Sequence, residues 1–255
     1  MASMQGNALV LERVTKRFDE FTAVAGVTLA VRESEIVCLV GPSGCGKSTL
    51  LNMLAGFEKA TGGDVEIDGH PITGPGPDRA VVFQHDALFP WLTVFANVTA
   101  GARARRRKGY ERRAEELLVQ LRLQGFFRHY PYQLSGGMRQ RAAIARALMS
   151  DSKVLLMDEP FGALDAQTRG EMQALLQEIW ANYRPTIVFI THDIEEALLL
   201  GDRVVVMGTS PGRILEILDV GFARPRTLEL TTKPEFNAMK SRVLHLLHPE
   251  IYTSS

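Results

Sequence analysis

The sequence is poor in cysteine, in tryptophan and in long apolar runs. Cys38 and Cys45 are its only cysteines in 255 residues. Their spacing matches no zinc or redox pattern, which excludes a disulfide scaffold and a cysteine metal site, and two reduced thiols suit the cytoplasm. No apolar stretch approaches the roughly 18 residues needed to cross a bilayer, and the longest candidates, such as Ile36–Val40, are strand-sized. Residues 1–9 hold no basic segment leading into an apolar one, so no secretory signal is expected. An excess of either charge is missing too: 29 Lys and Arg balance 29 Asp and Glu, so there is no global basic field for nucleic acid. Internal repeats and low-complexity tracts are absent. What is present is ordinary for a globular protein, with 45% apolar and 23% charged residues. At about 150 residues per domain, the length suits one or two domains and a sizeable core.

Segments rich in Val, Ile and Leu alternate with longer helical patterns. Strands are expected over 9–14, 24–31, 36–40, 64–67, 79–83, 154–157, 186–190 and 204–207. The run at 36–40 is continuously apolar, as a strand buried on both faces should be. Helices are expected at Lys47–Ala55, closed by Gly56, and at 111–121, Ala166–Tyr183 and Ile194–Leu200. Alternating strands and helices imply an α/β core with a largely parallel sheet. Residues from about 87 to 150 carry little strand signal and read as an inserted helical subdomain. The expected domain is 1–220, with its core at about 1–86 and 151–220. A tail follows at 221–255, with a helix at Pro234–Leu247.

Gly41-Pro42-Ser43-Gly44-Cys45-Gly46-Lys47-Ser48 fits the G-x-x-x-x-G-K-[ST] pattern without a mismatch, between a buried-strand pattern and a helix start. The glycines let backbone N–H groups curl around phosphate oxygens, and the helix N-terminus, with Thr49 in its first turn, adds partial positive charge. Lys47 should reach the β- and γ-phosphates of ATP, and the Ser48 hydroxyl should bind Mg²⁺. Cys45 is either a small filler or a thiol made acidic by the cradle, in which case ATP should slow its alkylation. Residues 154–160, Val-Leu-Leu-Met-Asp-Glu-Pro, read as a buried strand ending in two carboxylates. Phosphoryl transfer needs one carboxylate near the metal, for which Asp158 is suited, and one group to orient or deprotonate water, for which Glu159 is suited.

Leu134-Ser135-Gly136-Gly137-Met138-Arg139-Gln140, alone, is a turn and helix cap. In order with its neighbours it resembles the signature motif of ABC-type ATPases, and the resemblance runs from about residue 9 to 218. Gln84, in Val82-Phe83-Gln84-His85, stands at the Q-loop position. Ala163-Leu164-Asp165 looks like the D-loop. His192, in Thr191-His192-Asp193, looks like the switch histidine. Phe18 is placed like the aromatic that stacks on adenine, with Phe21 as a competitor. One departure is visible: Ser34 precedes Glu35 where this family often has glycine, which should alter a turn and not the chemistry.

The resemblance implies a P-loop ABC ATPase fold, a RecA-like core with an antiparallel β subdomain and an inserted helical subdomain. It also implies two copies of the chain in a head-to-tail dimer closed by ATP. Each nucleotide then lies between one phosphate loop and the partner copy's signature, with Ser135, Gly136, Gly137 and Gln140 acting in trans. On the same resemblance, Gln84 senses Mg²⁺ and the attacking water, His192 holds the γ-phosphate and orients Glu159, and Asp165 belongs to the D-loop.

Finer stretches resemble the nitrate, sulfonate and taurine importer group, most of all its taurine branch. They include residues 74–79 (Gly-Pro-Gly-Pro-Asp-Arg), 88–94 (Leu-Phe-Pro-Trp-Leu-Thr-Val), 160–169, 191–197, 211–214 and 222–225. That likeness implies two membrane-spanning permease subunits, a periplasmic solute-binding protein acting indirectly, a peripheral place on the cytoplasmic face of the inner membrane, and no nucleic-acid partner. A soluble ABC ATPase acting on ribosomes or DNA is the rival class. It is disfavoured because the chain has one ATPase domain and no sustained heptads. The apolar stretch around Trp91 either docks a permease helix or packs inside the helical subdomain. The run Arg103, Arg105, Arg106, Arg107, Lys108 reads as a solvated loop, with anionic lipid or a membrane subunit as the alternative.

Overall fold

A computed structural model describes residues 6–84 and 87–249. Two sheets organise it. The first is antiparallel, in the order β2-β1-β4-β5, from β1 (Asn7–Phe18), β2 (Phe21–Arg32), β4 (Gly62–Ile67) and the short β5 (His70–Pro71). The second has the order β10-β9-β3-β8-β7-β6. It contains β3 (Ile36–Val40), β6 (Arg79–Val82), β7 (Val154–Asp158), β8 (Thr186–Ile190), β9 (Arg203–Gly208) and β10 (Arg213–Asp219). Its ladders are parallel except at the β9/β10 edge.

Every residue of β3 is buried, and the two-residue side-chain period divides them between two cores. Val37 and Leu39 point into the core shared with the antiparallel sheet and α1 (Lys47–Ala55). Ile36, Cys38 and Val40 point into the other, which is filled from α4 (Gly136–Met149), α5 (Ala166–Tyr183), α6 (Ile194–Leu200) and the helical subdomain. A parallel strand covered on both faces has no polar side, so it appears in sequence as an unbroken apolar run.

The helical subdomain comprises α2 (Val94–Ala104), α3 (Tyr110–Gln120), a 3₁₀ turn (Pro131–Gln133) and α4. Thr93 caps α2 by accepting from Ala96 N–H at 3.2 Å, and α3 buries Ala114, Leu117 and Leu118. Beyond 221, α7 (Pro234–Leu247) is not an appendage: Phe236 and Val243 are fully buried in the main core, and Phe222 packs on Phe236 at 5.9 Å.

Three features depart from the sequence expectation. The hairpin strands β1 and β2 extend to Phe18 and Phe21, which pair across the turn. Strand β6 stops at Val82. Strand β10 carries no clear alternation because it is a half-exposed edge with a register irregularity between Ile214 and Glu216. Ser34 adopts a left-handed φ of 59°, the turn where glycine would be unstrained. Its hydroxyl donates to Arg184 O at 2.8 Å and its carbonyl accepts from Trp180 Nε1 at 3.1 Å. The hydroxyl bond is one that a glycine lacks, and Glu35 beside it pairs with Arg203.

Candidate nucleotide site

The loop 41–46 leaves the carboxyl end of β3 and enters α1 through Gly46. Gly46 caps the helix at φ 89° with no side-chain cap, so the first-turn N–H groups are left for an acceptor from outside the helix. A Cβ at Gly46 would stand 2.8 Å from Val24 Cγ2 and 3.0 Å from Ala23 O, so only glycine fits there. Lys47 is nearly buried, and its ammonium donates to Gly41 O at 2.7 Å and Pro42 O at 3.1 Å. Ser43 and Gly44 are exposed, and Thr49 is half-buried on the first turn. Cys45 is fully buried, with its Sγ 3.6 Å from Lys47 Nζ. The thiol is therefore closed to alkylating reagents from the outset, and the expected protection by ATP has no exposed group to act on.

Ser48 Oγ donates to Asp158 Oδ1 at 3.5 Å. Burial, then the charge of Glu159, pushes the Asp158 carboxyl above the usual aspartate range, opposed by the Ser48 hydroxyl and Lys47. Such a carboxylate calls for a cation. Among the described residues no cluster of three or more His, Cys, Asp or Glu side chains could hold a metal alone. One hydroxyl and one carboxylate fit Mg²⁺, which binds through few protein oxygens and completes its shell with water and phosphate.

Glu159 follows at φ 44°, a strained conformation for a side chain with a Cβ and of the kind that clusters at functional sites. It is held there by its N–H donating to Ile190 O at 3.0 Å. Its Oε2 lies 3.0 Å from His192 Nδ1, which comes from the loop after β8. An ionised carboxylate only accepts, so this contact places the imidazole proton on Nδ1. Gln84 is exposed at the end of β6. A Cβ built on Gly162 would lie 3.4 Å from Gln84 Nε2 and 3.6 Å from Glu159 Oε2, so the amide and the carboxylate flank one point. His85, in the same motif, lies outside the described residues.

The Ser135 segment packs on the start of α5. Ser135 caps α4 by accepting from Met138 N–H at 3.3 Å. Gly137 packs so tightly that a Cβ would stand 2.6 Å from Thr168 Cγ2, and Gly136 lies beside Leu164. Asp165 caps α5, accepting from Thr168 N–H at 2.9 Å and its hydroxyl at 2.7 Å. The Thr168 backbone N–H, then its hydroxyl, holds the Asp165 carboxyl below its usual range. Gln140, which the resemblance groups with the signature residues acting in trans, is 3% exposed, and its Nε2 is buried without a partner among the described residues. It shares the inward face of α4 with Gly137 and Ile144, because residues three and four apart line one side of a helix.

Phe18 is 43% and Phe21 64% exposed, and Lys16 Nζ lies 4.7 Å over the Phe18 ring. Both aromatics stand at the hairpin end, so neither is removed from candidacy. Trp91 is 70% exposed, tilted against Phe89 at 5.6 Å, and is not packed inside the helical subdomain. The turn that presents it is locked by buried Asn97, whose Oδ1 accepts from Phe89 N–H at 2.7 Å and whose Nδ2 donates to Phe89 O and Leu92 O. The basic run is partly tied down: Arg107 pairs with Asp151, which Arg113 of α3 also engages, and Arg105 donates to Ser150 O.

Two residues given no role from the sequence also serve this region. Arg169 donates to Leu164 O at 3.1 Å and lies 3.8 Å from Asp193, joining the Asp165 and His192 loops. Buried Glu196 accepts from Gln173 Nε2 at 3.0 Å. The only sequence signal for them is helical spacing, Arg169 standing one turn after Asp165 and Glu196 one turn after His192.

A family profile described as ABC transporter matches residues 24–162. The chain is 46% identical over 246 residues to the taurine import ATP-binding protein of Chromobacterium violaceum, covering 93% of this chain and 94% of that one. It is 43% identical over 223 residues to the aliphatic sulfonates import ATP-binding protein of Bacillus subtilis, covering 88% and 86%. The solved dimeric structure of an ATP-binding cassette in a post-hydrolysis state with ADP and phosphate superposes with a TM-score of 0.72, at 34% identity, over 84% of this chain and all of that one. With a matching profile, full-length relatives and a shared architecture, the chain belongs to the ABC transporter ATP-binding family.

Proposed function

We propose that this protein hydrolyses ATP to drive an importer of taurine or a closely related aliphatic sulfonate, acting as a pair of copies beneath two permease subunits on the cytoplasmic face of the membrane. The observation that carries the chemistry is the 3.0 Å contact of Glu159 with His192, next to the Ser48–Asp158 pair and the phosphate loop. In this reading Lys47 and the α1 N-terminus hold the phosphates of ATP. Glu159 accepts the proton of the attacking water, and His192 orients that carboxylate. Gln84 lies across the same point and orients the water. Ser48 and Asp158 would hold Mg²⁺, which neutralises phosphate charge when bound. Catalysis of this kind is positioning plus charge stabilisation.

Ser135 and Gly137 lie where α4 begins, with Gly137 packed on Thr168 of α5. They act on the nucleotide held by the second copy, with the α4 N-terminus directed at its phosphate. Dimeric relatives support that arrangement. Among the described residues no helix is long and apolar enough to cross a membrane, and the exposed Phe89–Trp91 turn offers permease subunits an apolar contact. The sulfonate class rests on relatives named for taurine and for aliphatic sulfonates at 42–46% identity, and taurine on the finer motif likeness.

The test is ATP-driven uptake in vesicles containing the chain, its permease subunits and its binding protein, with sulfonates and nitrate as competitors. Uptake competed by taurine and abolished by Glu159→Gln supports the whole reading. Uptake of another anion keeps the ATPase and changes the solute. ATPase activity without any uptake overturns the transport role.

A further inference from the structure

A cavity of about 770 Å³ opens between one side of α5, from Gly170 to Ala181, and residues 224–229. Of the residues described at the nucleotide site only Gln173, the partner of Glu196, lines it, and none of the phosphate-loop, Gln84, Asp158, Glu159 or His192 side chains does. Its size falls in the range of small-molecule sites. The walls are mostly apolar, with Ala174, Ala181, Leu199, Pro225 and Leu228 around Trp180.

Trp180 is 7% exposed and clasped by two guanidinium groups that also line the cavity, Arg184 at 4.1 Å and Arg224 at 4.3 Å from the ring. Arg184 is exposed and forms no ion pair among the described residues. Arg224 uses Nε and Nη2 on Asp202, while its Nη1 is buried with no partner. Arg226 lies 4.0 Å from the same carboxylate. Burial, then the Arg224 charge, pulls Arg226 down to about 10. One carboxylate thus serves two guanidiniums. The other wall carboxylates do not make up the difference, since Glu178 is turned to Arg122 at 3.5 Å and Glu229 is exposed to water. A guanidinium stacked on an indole can still offer its in-plane N–H donors to a bidentate oxyanion, and the exposed Arg184 is placed to do so, whereas Arg224 has Nε and Nη2 engaged by Asp202 and Leu200 O and contributes its charge.

We propose that this cavity is a binding site for a small amphipathic organic anion, its apolar body against Trp180, Leu199 and Leu228 and its carboxylate or sulfonate on Arg184, beside the positive charge of Arg224. The site is independent of the ATPase reading, because it shares no residue with the nucleotide cluster.

The chain has two tryptophans, so Trp91→Phe leaves Trp180 as the sole indole and a local reporter. The probe is 1-anilinonaphthalene-8-sulfonate, titrated against this variant. Saturable quenching of Trp180 emission with a single site per chain is expected, weakened at least tenfold by Arg184→Glu and, separately, by Ala181→Glu. Uncharged N-phenyl-1-naphthylamine should bind at least tenfold more weakly than the sulfonate. Absence of saturable quenching, equal binding by Arg184→Glu, or equal binding of the uncharged probe would overturn the proposal. Chain concentration is varied in parallel: quenching that follows self-association instead of probe concentration assigns the cavity to a second copy and overturns it as well. Both charge changes lie at exposed positions, and retained ATP binding separates loss of this site from loss of the fold.

Discussion

The strand-end cluster and the Phe89–Trp91 turn both reach the surface, yet they are built oppositely. At the ends of β3, β7 and β8, polar groups converge on one another: Ser48 on Asp158, His192 on Glu159, Lys47 on the carbonyls of its own loop. At the turn, apolar rings are pushed outward by a buried polar residue, Asn97, which spends its amide on the backbone beneath them. The first arrangement positions charge around a reacting centre. The second keeps hydrophobic surface rigidly in water, which is stable only because the turn's own hydrogen bonds are satisfied below it. Chemistry and coupling are therefore expected to be separable by mutation.

The largest effect should come from the cluster. Glu159→Gln is expected to slow ATP turnover by about 10²- to 10⁴-fold, the usual range for losing a general base, while equilibrium ATP binding persists and dimers accumulate on a sizing column. Turnover near the parental rate would remove Glu159 from its role. Beneath the turn, Asn97→Ala removes the side-chain partner of Phe89 N–H and of Leu92 O, while Phe89 O keeps its bond from Leu92 N–H. Thermal or urea unfolding should show a loss of roughly 1–3 kcal/mol. If stability is unchanged, Asn97 does not lock the turn.

Trp91→Ala should act only on coupling. Basal ATPase is expected to stay within about twofold, while permease affinity falls roughly tenfold or more, as for an aromatic hot spot. A matching fall in basal ATPase would erase the separation between the two regions. The smallest effect is at Glu196, whose carboxyl burial pushes above the ordinary glutamate range. Its folded form holds a proton that the unfolded chain releases. Stability is therefore full below the ordinary glutamate value and is lost as pH rises through the raised native value. Glu196→Gln keeps an acceptor for Gln173 and should remove this slope, raising stability at pH values above the native pKa and leaving it unchanged below the ordinary glutamate value. An unchanged pH profile would show that Glu196 does not titrate in that window.

Legibility followed local constraint. Helices α1, α5, α6 and α7 and strands β3 and β8 could be bounded to the residue, because caps, glycines and fully apolar runs mark their ends. Strand β10 could not: a half-buried edge writes no clean period. The burial of Phe236 and Val243 was equally hidden, since two apolar residues seven apart in a helix do not say what covers them.

The sequence by itself determined the chemical inventory, because the phosphate loop, the Asp158–Glu159 pair and the Ser135 turn are contiguous segments whose backbone needs are local. Only the tertiary structure decided which groups meet. Gln84, Glu159 and His192 come from three strands separated along the chain, brought together by parallel pairing of β6, β7 and β8. It also turned Gln140 inward, closed Cys45 off and exposed Trp91, because burial depends on which neighbours arrive from distant parts of the chain, and no local pattern encodes those neighbours.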